Sequence, residues 1–220
     1  MRLIEDLRAD HQLIEQAVGS LRTFVEARLA GSGDPADGRR FLAFFRLYAG
    51  DFHHAKEEEV LLKALVEQAE IPGHRGPVAV IIDEHRRMGG LLDGMEPLLG
   101  APLQEASQRA RLLELAVDYS RSLWHHIDAE NSVVFPEGQE RLRRFNIGEL
   151  PSRPPTPEES AAREAGIALL AAYPPLVDPG VMRGDGCVAC PSYGNTCDGL
   201  EHEWWTEHDW EDARERMGSD

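Results

Sequence analysis

The sequence predicts an all-α protein: an up-down-up-down four-helix bundle followed by an irregular, cysteine-containing C-terminal extension. Two observations carry that expectation. Four long stretches place apolar residues at alternating steps of three and four, the spacing of a single helix face. Short segments rich in Gly, Pro and Asp separate them, and short connections force successive helices to run antiparallel. The chain divides into a bundle at residues 1–145, a Pro-rich linker with a short helix at 146–186, and a Cys/His/Trp-rich tail at 187–220.

The first helix is expected over residues 3–29, ending at GSGDPADG, with an inward seam of Ile4, Leu7, His11, Ile14, Val18, Leu21 and Val25. The second, over 39–69, ends at IPGHRGP and offers Phe44, Leu47, Asp51, His54, Glu58, Leu61 and Leu65. The third, over 78–99, repeats the first with Val78, Ile81, His85, Met88, Leu92, Met95 and Leu99. The fourth, over 103–134, is stopped by Pro136 and Gly138; its seam is Leu112, Leu115, Tyr119, Ser122, His126, Glu130 and Val133. Every seam carries one histidine.

Composition narrows the partners. A net charge of -16 over 220 residues and a pI near 4.9 argue against a nucleic-acid groove or an anionic membrane surface, and favour cations. No apolar run approaches the roughly 20 residues that span a bilayer, and the N-terminus, MRLIEDLRADHQ, turns charged at once. The expected location is the cytoplasm.

One buried histidine is ordinarily a hydrogen-bonded core residue. Four imidazoles and two carboxylates in one layer are different, because each unsatisfied buried polar group costs on the order of several kcal/mol. A pair of metal ions satisfies them together. On the second and fourth helices the spacing is His-x-x-x-Glu, and residues four apart stack on one face. The separation of His11 from His54 nearly equals that of His85 from His126, so the two halves form a pseudo-repeat. Mixed N and O donors with open positions suit iron, with manganese as rival, better than a closed zinc site.

The segments DHQLIE, FHHAKEEEVLL, DEHRRM and LWHHIDAENSVVFP resemble, in order, the ligand segments of the hemerythrin HHE family over about residues 1–145. The resemblance implies a non-haem di-iron centre held by His11, His54, Glu58, His85, His126 and Glu130. Oxygen-carrying hemerythrins add a further histidine four residues after the one on the third helix. Here that position is Gly89. The substitution leaves a coordination place open, or fillable by Glu57, Tyr48 or Tyr119, and favours reaction with NO, O2 or peroxide over reversible carriage. His53 and His125 are read as neighbours of the ligands, and Glu57, Glu59 and Asp128 as a solvated face. His53 with Glu57 has the same spacing as His54 with Glu58, and the seam and the resemblance both favour the latter pair.

After PSRPPTP, Thr156, Pro157 and Glu159 form a capping-box pattern that starts a short helix ending before Pro174. Beyond it, Cys187, Cys190, Cys197 and His202 have the makings of a Cys3His zinc site, with an iron–sulfur cluster or a redox dithiol as alternatives. Trp204, Trp205 and Trp210 are read as an apolar stripe docking the tail on the bundle or meeting a partner protein. Two functions follow: a stress-response protein that binds or reduces NO, O2 or peroxide, or a non-enzymatic O2 or iron sensor or store that signals through its tail.

Overall fold

A computed structural model describes residues 1–178 and residue 208. Among the described residues all regular structure is helical: α1 (Arg2–Leu29), α2 (residues 35–69), α3 (Gly76–Leu99), α4 (residues 106–144) and α5 (Pro157–Ala172). None of them is long and apolar enough to cross a membrane.

Local chemistry sets the ends. The Asp34 carboxylate accepts the Ala36 N–H at 2.8 Å and Pro35 takes the first turn, so α2 starts earlier than its apolar pattern suggests. It stops at Glu70, whose φ of 60° is left-handed. α4 runs on past Pro136, which directly follows the Glu130–Val134 segment of i→i+5 winding, where the regular bonding pattern is already interrupted. α5 begins with the capping box expected from sequence: Thr156 N–H donates to Glu159 at 2.7 Å, and Glu159 N–H donates to the Thr156 hydroxyl at 3.2 Å.

Helices adjacent in the chain run in opposite senses. Along α1 and α2, Phe24 meets Phe41, Asp10 meets Tyr48 and His11 meets His53. Between α2 and α3, Arg46 meets Asp93 and Glu96, while Glu58 meets His85. Between α3 and α4, Glu84 meets His126 and Arg87 meets Ser122. α4 also closes against α1, with Asn131 on His11 and Ser120 on Arg22.

α5 joins the same core, burying Ala162 and Leu169. The segment after it is strapped along α1: Ser20 donates to the carbonyls of Leu169 and Tyr173, Thr23 donates to that of Pro174, and the Leu176 N–H donates to the Gly19 carbonyl at 3.1 Å. A Cβ at Gly19 would lie 2.5 Å from the Leu176 carbonyl oxygen, so only glycine admits the strap there.

The apolar core is split into two clusters. One holds Ile14 to Val25 of α1, Phe41 to Phe52 of α2, Met88 to Leu99 of α3 and Leu112 to Ile127 of α4. The other holds Leu3 to Leu7, Leu61 to Ile71, Val78 and Ile81, and Ala129 to Leu142. Between them every one of these four helices contributes a polar residue.

Three segments within the helices wind with i→i+5 bonding: Phe44–His54 and Glu57–Leu62 in α2, and Glu130–Val134 in α4. They change which side chains face inward. The α1 and α3 seams are buried as expected, but in α2 Asp51 is exposed and Leu47, His54 and Glu58 are only partly covered. The buried line runs instead through Phe45, Ala49, His53, Glu57, Leu61 and Leu65, every fourth residue. In a regular α-helix each four-residue step drifts by about 40°. The wider turns absorb that drift. In α4 the same effect replaces Val133 by Val134 on the buried side.

A Cβ at Gly166 would fall 2.2 Å from the fully buried Phe44 ring, whereas one at the exposed Gly90 meets nothing within 4 Å. Urea unfolding should therefore show Gly166→Ala destabilised by about 1–3 kcal/mol through overpacking. Gly90→Ala should be stabilised by about 0.5–1 kcal/mol through helix propensity. The docking of α5 should also depend on acid. Both Arg153 amino groups donate to Glu159, at 2.6 and 2.7 Å, and this pairing holds the Glu159 carboxyl below its ordinary 4.5 despite partial burial. A depressed carboxylate stabilises the fold above that ordinary value, and the gain fades as pH falls below it. Amide protection in α5 should fall on acidification below about pH 4.5 in the natural chain, and much less so in Glu159→Gln.

Candidate metal centre

Two groups of donor atoms lie in the polar layer, the atoms of each within 4.8 Å of one another: His54, Glu57, His85 and His126, and His11, His53, Glu57 and Glu130. Glu57 belongs to both. Glu130 also reaches across, with one oxygen 3.2 Å from His11 Nε2 and the other 3.3 Å from His126 Nε2. Glu57 and Glu130 are each 1% exposed. The i→i+5 turns position this set, since they let adjacent His53 and His54 serve the two groups.

The histidines are oriented from behind. His11 Nδ1 bonds Asn131 Oδ1 at 3.1 Å, His53 Nδ1 bonds Asp10 at 3.4 Å, His85 Nδ1 bonds Glu58 at 2.7 Å and His126 Nδ1 bonds Glu84 at 2.9 Å. A carboxylate accepts, so His85 and His126 carry their protons on Nδ1 and turn bare Nε2 lone pairs inward. Those two Nε2 atoms face each other at 3.0 Å. Two lone pairs at that distance repel unless a metal ion or a proton lies between them.

A cation also resolves the remaining orphans. His11 Nε2, both Glu57 oxygens and Glu130 Oε2 are buried without a hydrogen bond. Such atoms are costly in a dry interior. Burial holds His11 down to about 3, aided by its neighbour His53, and holds His54 and His126 below the ordinary histidine value, so these rings are neutral donors near pH 7. Burial and the adjacent charge of Glu57 push Glu130 well above the carboxylate range. For Glu57, burial works the same way but is outweighed by His53 and the other imidazoles, which hold it low. His53 rises to about 9, because Glu57 and Asp10 overcome its burial. Asp10 is held at about 2 despite burial, by His53 and Lys56. It also accepts the Tyr48 hydroxyl at 2.7 Å and the Lys56 ammonium. The donor set is that of a site for hard or borderline cations.

His11, His54, His85, His126 and Glu130 are thus brought together. Glu58, expected among them, is not: its side chain is 39% exposed and sits behind His85. Glu57 occupies the centre, and His53, expected beside the ligands, is inside it. The four-residue recurrence from Phe45 through His53 and Glu57 to Leu61 was the signal that could have revealed both. Of the expected substitutes for a third-helix histidine, Glu57 is in the centre, Tyr48 is taken up by Asp10, and Tyr119 stands beside the site. Tyr119 lines a cleft of about 630 Å³ with His54, His85 and Gly89, and a Cβ on Gly89 would meet nothing within 4 Å. The other group is sealed, with Phe135 stacked on His11 at 5.4 Å. Cys187, Cys190, Cys197 and His202 lie outside the described residues.

Residues 2–137 match the profile of the hemerythrin HHE cation binding domain. An iron-sulfur cluster repair protein, YtfE, of Edwardsiella ictaluri (strain 93-146) is 37% identical over 93 residues, which are 39% of this chain and 40% of that protein. The chain therefore spans about two fifths of that relative's length. No solved structure matches. The polar layer, its orphaned donors and the matched span agree, and the chain belongs to the hemerythrin HHE cation-binding family.

Proposed function

We propose that this protein holds a non-haem di-iron centre and uses it to bind and reduce a small oxidant, NO, O2 or peroxide, under stress. The observation that carries the reading is the set of orphaned buried donors, His11 Nε2, both Glu57 oxygens and Glu130 Oε2, beside the facing His85 and His126 nitrogens. In this reading His54, His85 and His126 would hold one ion, and His11 and, on giving up its proton, His53 would hold the other, with Glu57 and Glu130 within reach of both groups. All but Glu58 of the residues implied by sequence resemblance are kept. Glu58 acts instead by fixing the His85 ring. Paired irons supply Lewis acidity and one-electron steps.

The protein's own groups account for the rest. Asn131, Asp10, Glu58 and Glu84 hold ring orientation and so keep the donors preorganised. The cleft beside Gly89 gives access from one side, and its lining mixes apolar side chains (Phe45, Met88, Leu92) with charged ones (Arg46, Asp51, Glu59, Arg86). The name of the Edwardsiella relative supports placing this chemistry in the repair of iron–sulfur clusters. We further propose that Cys187, Cys190, Cys197 and His202 bind zinc, on the support of their spacing alone.

Anaerobic stopped-flow mixing of the iron-loaded chain with NO, O2 and hydrogen peroxide tests the activity. Catalytic consumption of at least one is expected, and reversible binding without turnover would favour a sensor or store. Substitution tests the ligand set. Glu57→Gln should lose at least one of the two ions on gel filtration followed by metal analysis. Glu58→Gln should keep both, with affinity weakened by about 10–100-fold, as for other outer partners of ligating histidines. The reverse pattern would return the bridging role to Glu58.

A further inference from the structure

Five imidazoles face the centre, and four are anchored at the nitrogen turned away from it. Asn131 holds His11, Asp10 holds His53, Glu58 holds His85 and Glu84 holds His126. To leave, each would have to break a hydrogen bond, in three cases to a carboxylate. His54 is different. Among the described residues nothing hydrogen-bonds either of its ring nitrogens, and it is restrained by ring contacts alone: stacking on His85, with centroids 3.8 Å apart and planes at 7°, and looser contacts with His53 and His126. It is also the one imidazole of the five that is partly exposed.

The space next to it is open. His54 and Gly89 line the same cleft of about 630 Å³, and a Cβ placed on Gly89 would meet nothing within 4 Å outside its own stretch of helix. A histidine side chain at position 89 would fill this space, whereas glycine leaves room for the His54 ring to rotate away from the centre. Its anchored neighbours keep their places, because their hydrogen bonds do not depend on it.

We propose that His54 is the exchangeable ligand of the centre. It occupies one donor position on the cleft side and swings into the space beside Gly89 when a small anion or diatomic molecule takes that position. The imidazole nitrogen withdraws with its lone pair and a lone pair of the incoming molecule replaces it, so no electron is transferred. The proposal rests on the metal-centre reading above. It gives the His53–His54 pair two roles: one ring fixed at the sealed group, the other serving as a door at the open one.

Azide binding to the iron-loaded full-length chain, followed by its absorption change, tests the assignment, with iron content measured on each sample. His54→Ala should retain its iron. If His54 fills the position in about nine-tenths of molecules, its removal tightens apparent azide affinity about tenfold. Added imidazole should reverse that gain. Gly89→His, which fills the cleft with a second imidazole, should retain iron and weaken azide binding by about tenfold or more. Loss of iron from His54→Ala to the extent seen with His126→Ala, or unchanged azide affinity in both variants, would overturn the exchange role while leaving a loaded natural chain intact. A natural chain that takes up no iron would overturn the metal reading and the exchange role together.

Discussion

The structure depends on how a layer of desolvated carboxylates and imidazoles is held between two apolar clusters. Glu57 and Glu130 are buried within reach of the same histidines, and neither completes its hydrogen bonding with protein groups. Packing alone would expel such a layer. It is tolerated because the donors converge, so that one or two cations can satisfy groups that would each cost on the order of several kcal/mol alone. The helices above and below the layer are packed tightly enough to maintain that convergence.

The i→i+5 turns are the backbone's part of the arrangement. Such turns have poorer geometry than regular helix and cluster at functional sites. In α2 they bring Phe45, Ala49, His53 and Glu57 onto one line, and in α4 one begins at Glu130 itself. The departure from regular winding falls where donors must be aimed and nowhere in α1 or α3, whose single histidines need no such correction.

The two faces of the layer are unequal. On one, His11 is covered by Phe135, and Asp10 gathers Tyr48, His53 and Lys56 into a polar knot. On the other, Gly89 leaves a cleft down to His54 and His85. Rigidity behind four imidazoles and freedom behind the fifth come from the same packing. α5 and its strap are tied to the bundle by polar contacts: Arg153 joins the Asp51 carbonyl to Glu159, and the segment after α5 bonds to Gly19, Ser20 and Thr23 of α1.

Much of this was legible in the sequence. The all-helical class followed from the three-and-four spacing, the start of α5 from Thr156, Pro157 and Glu159, and the layer's composition from one histidine in each seam. These are local properties, fixed by residues within a turn or two of each other. The facing of α2 was not legible. Whether His53 with Glu57 or His54 with Glu58 turns inward depends on which hydrogen-bond register the helix adopts, and both pairs have identical spacing. Asp10, on α1, and His85, on α3, settle that choice by taking His53 and Glu58 as partners. The anchors Asn131 and Glu84 were equally invisible, because each acts on a histidine of another helix. Sequence by itself determined the helices and the kinds of donor. Only tertiary packing decided which donors meet, since a helix register that regular periodicity disfavours is held by contacts from elsewhere in the chain.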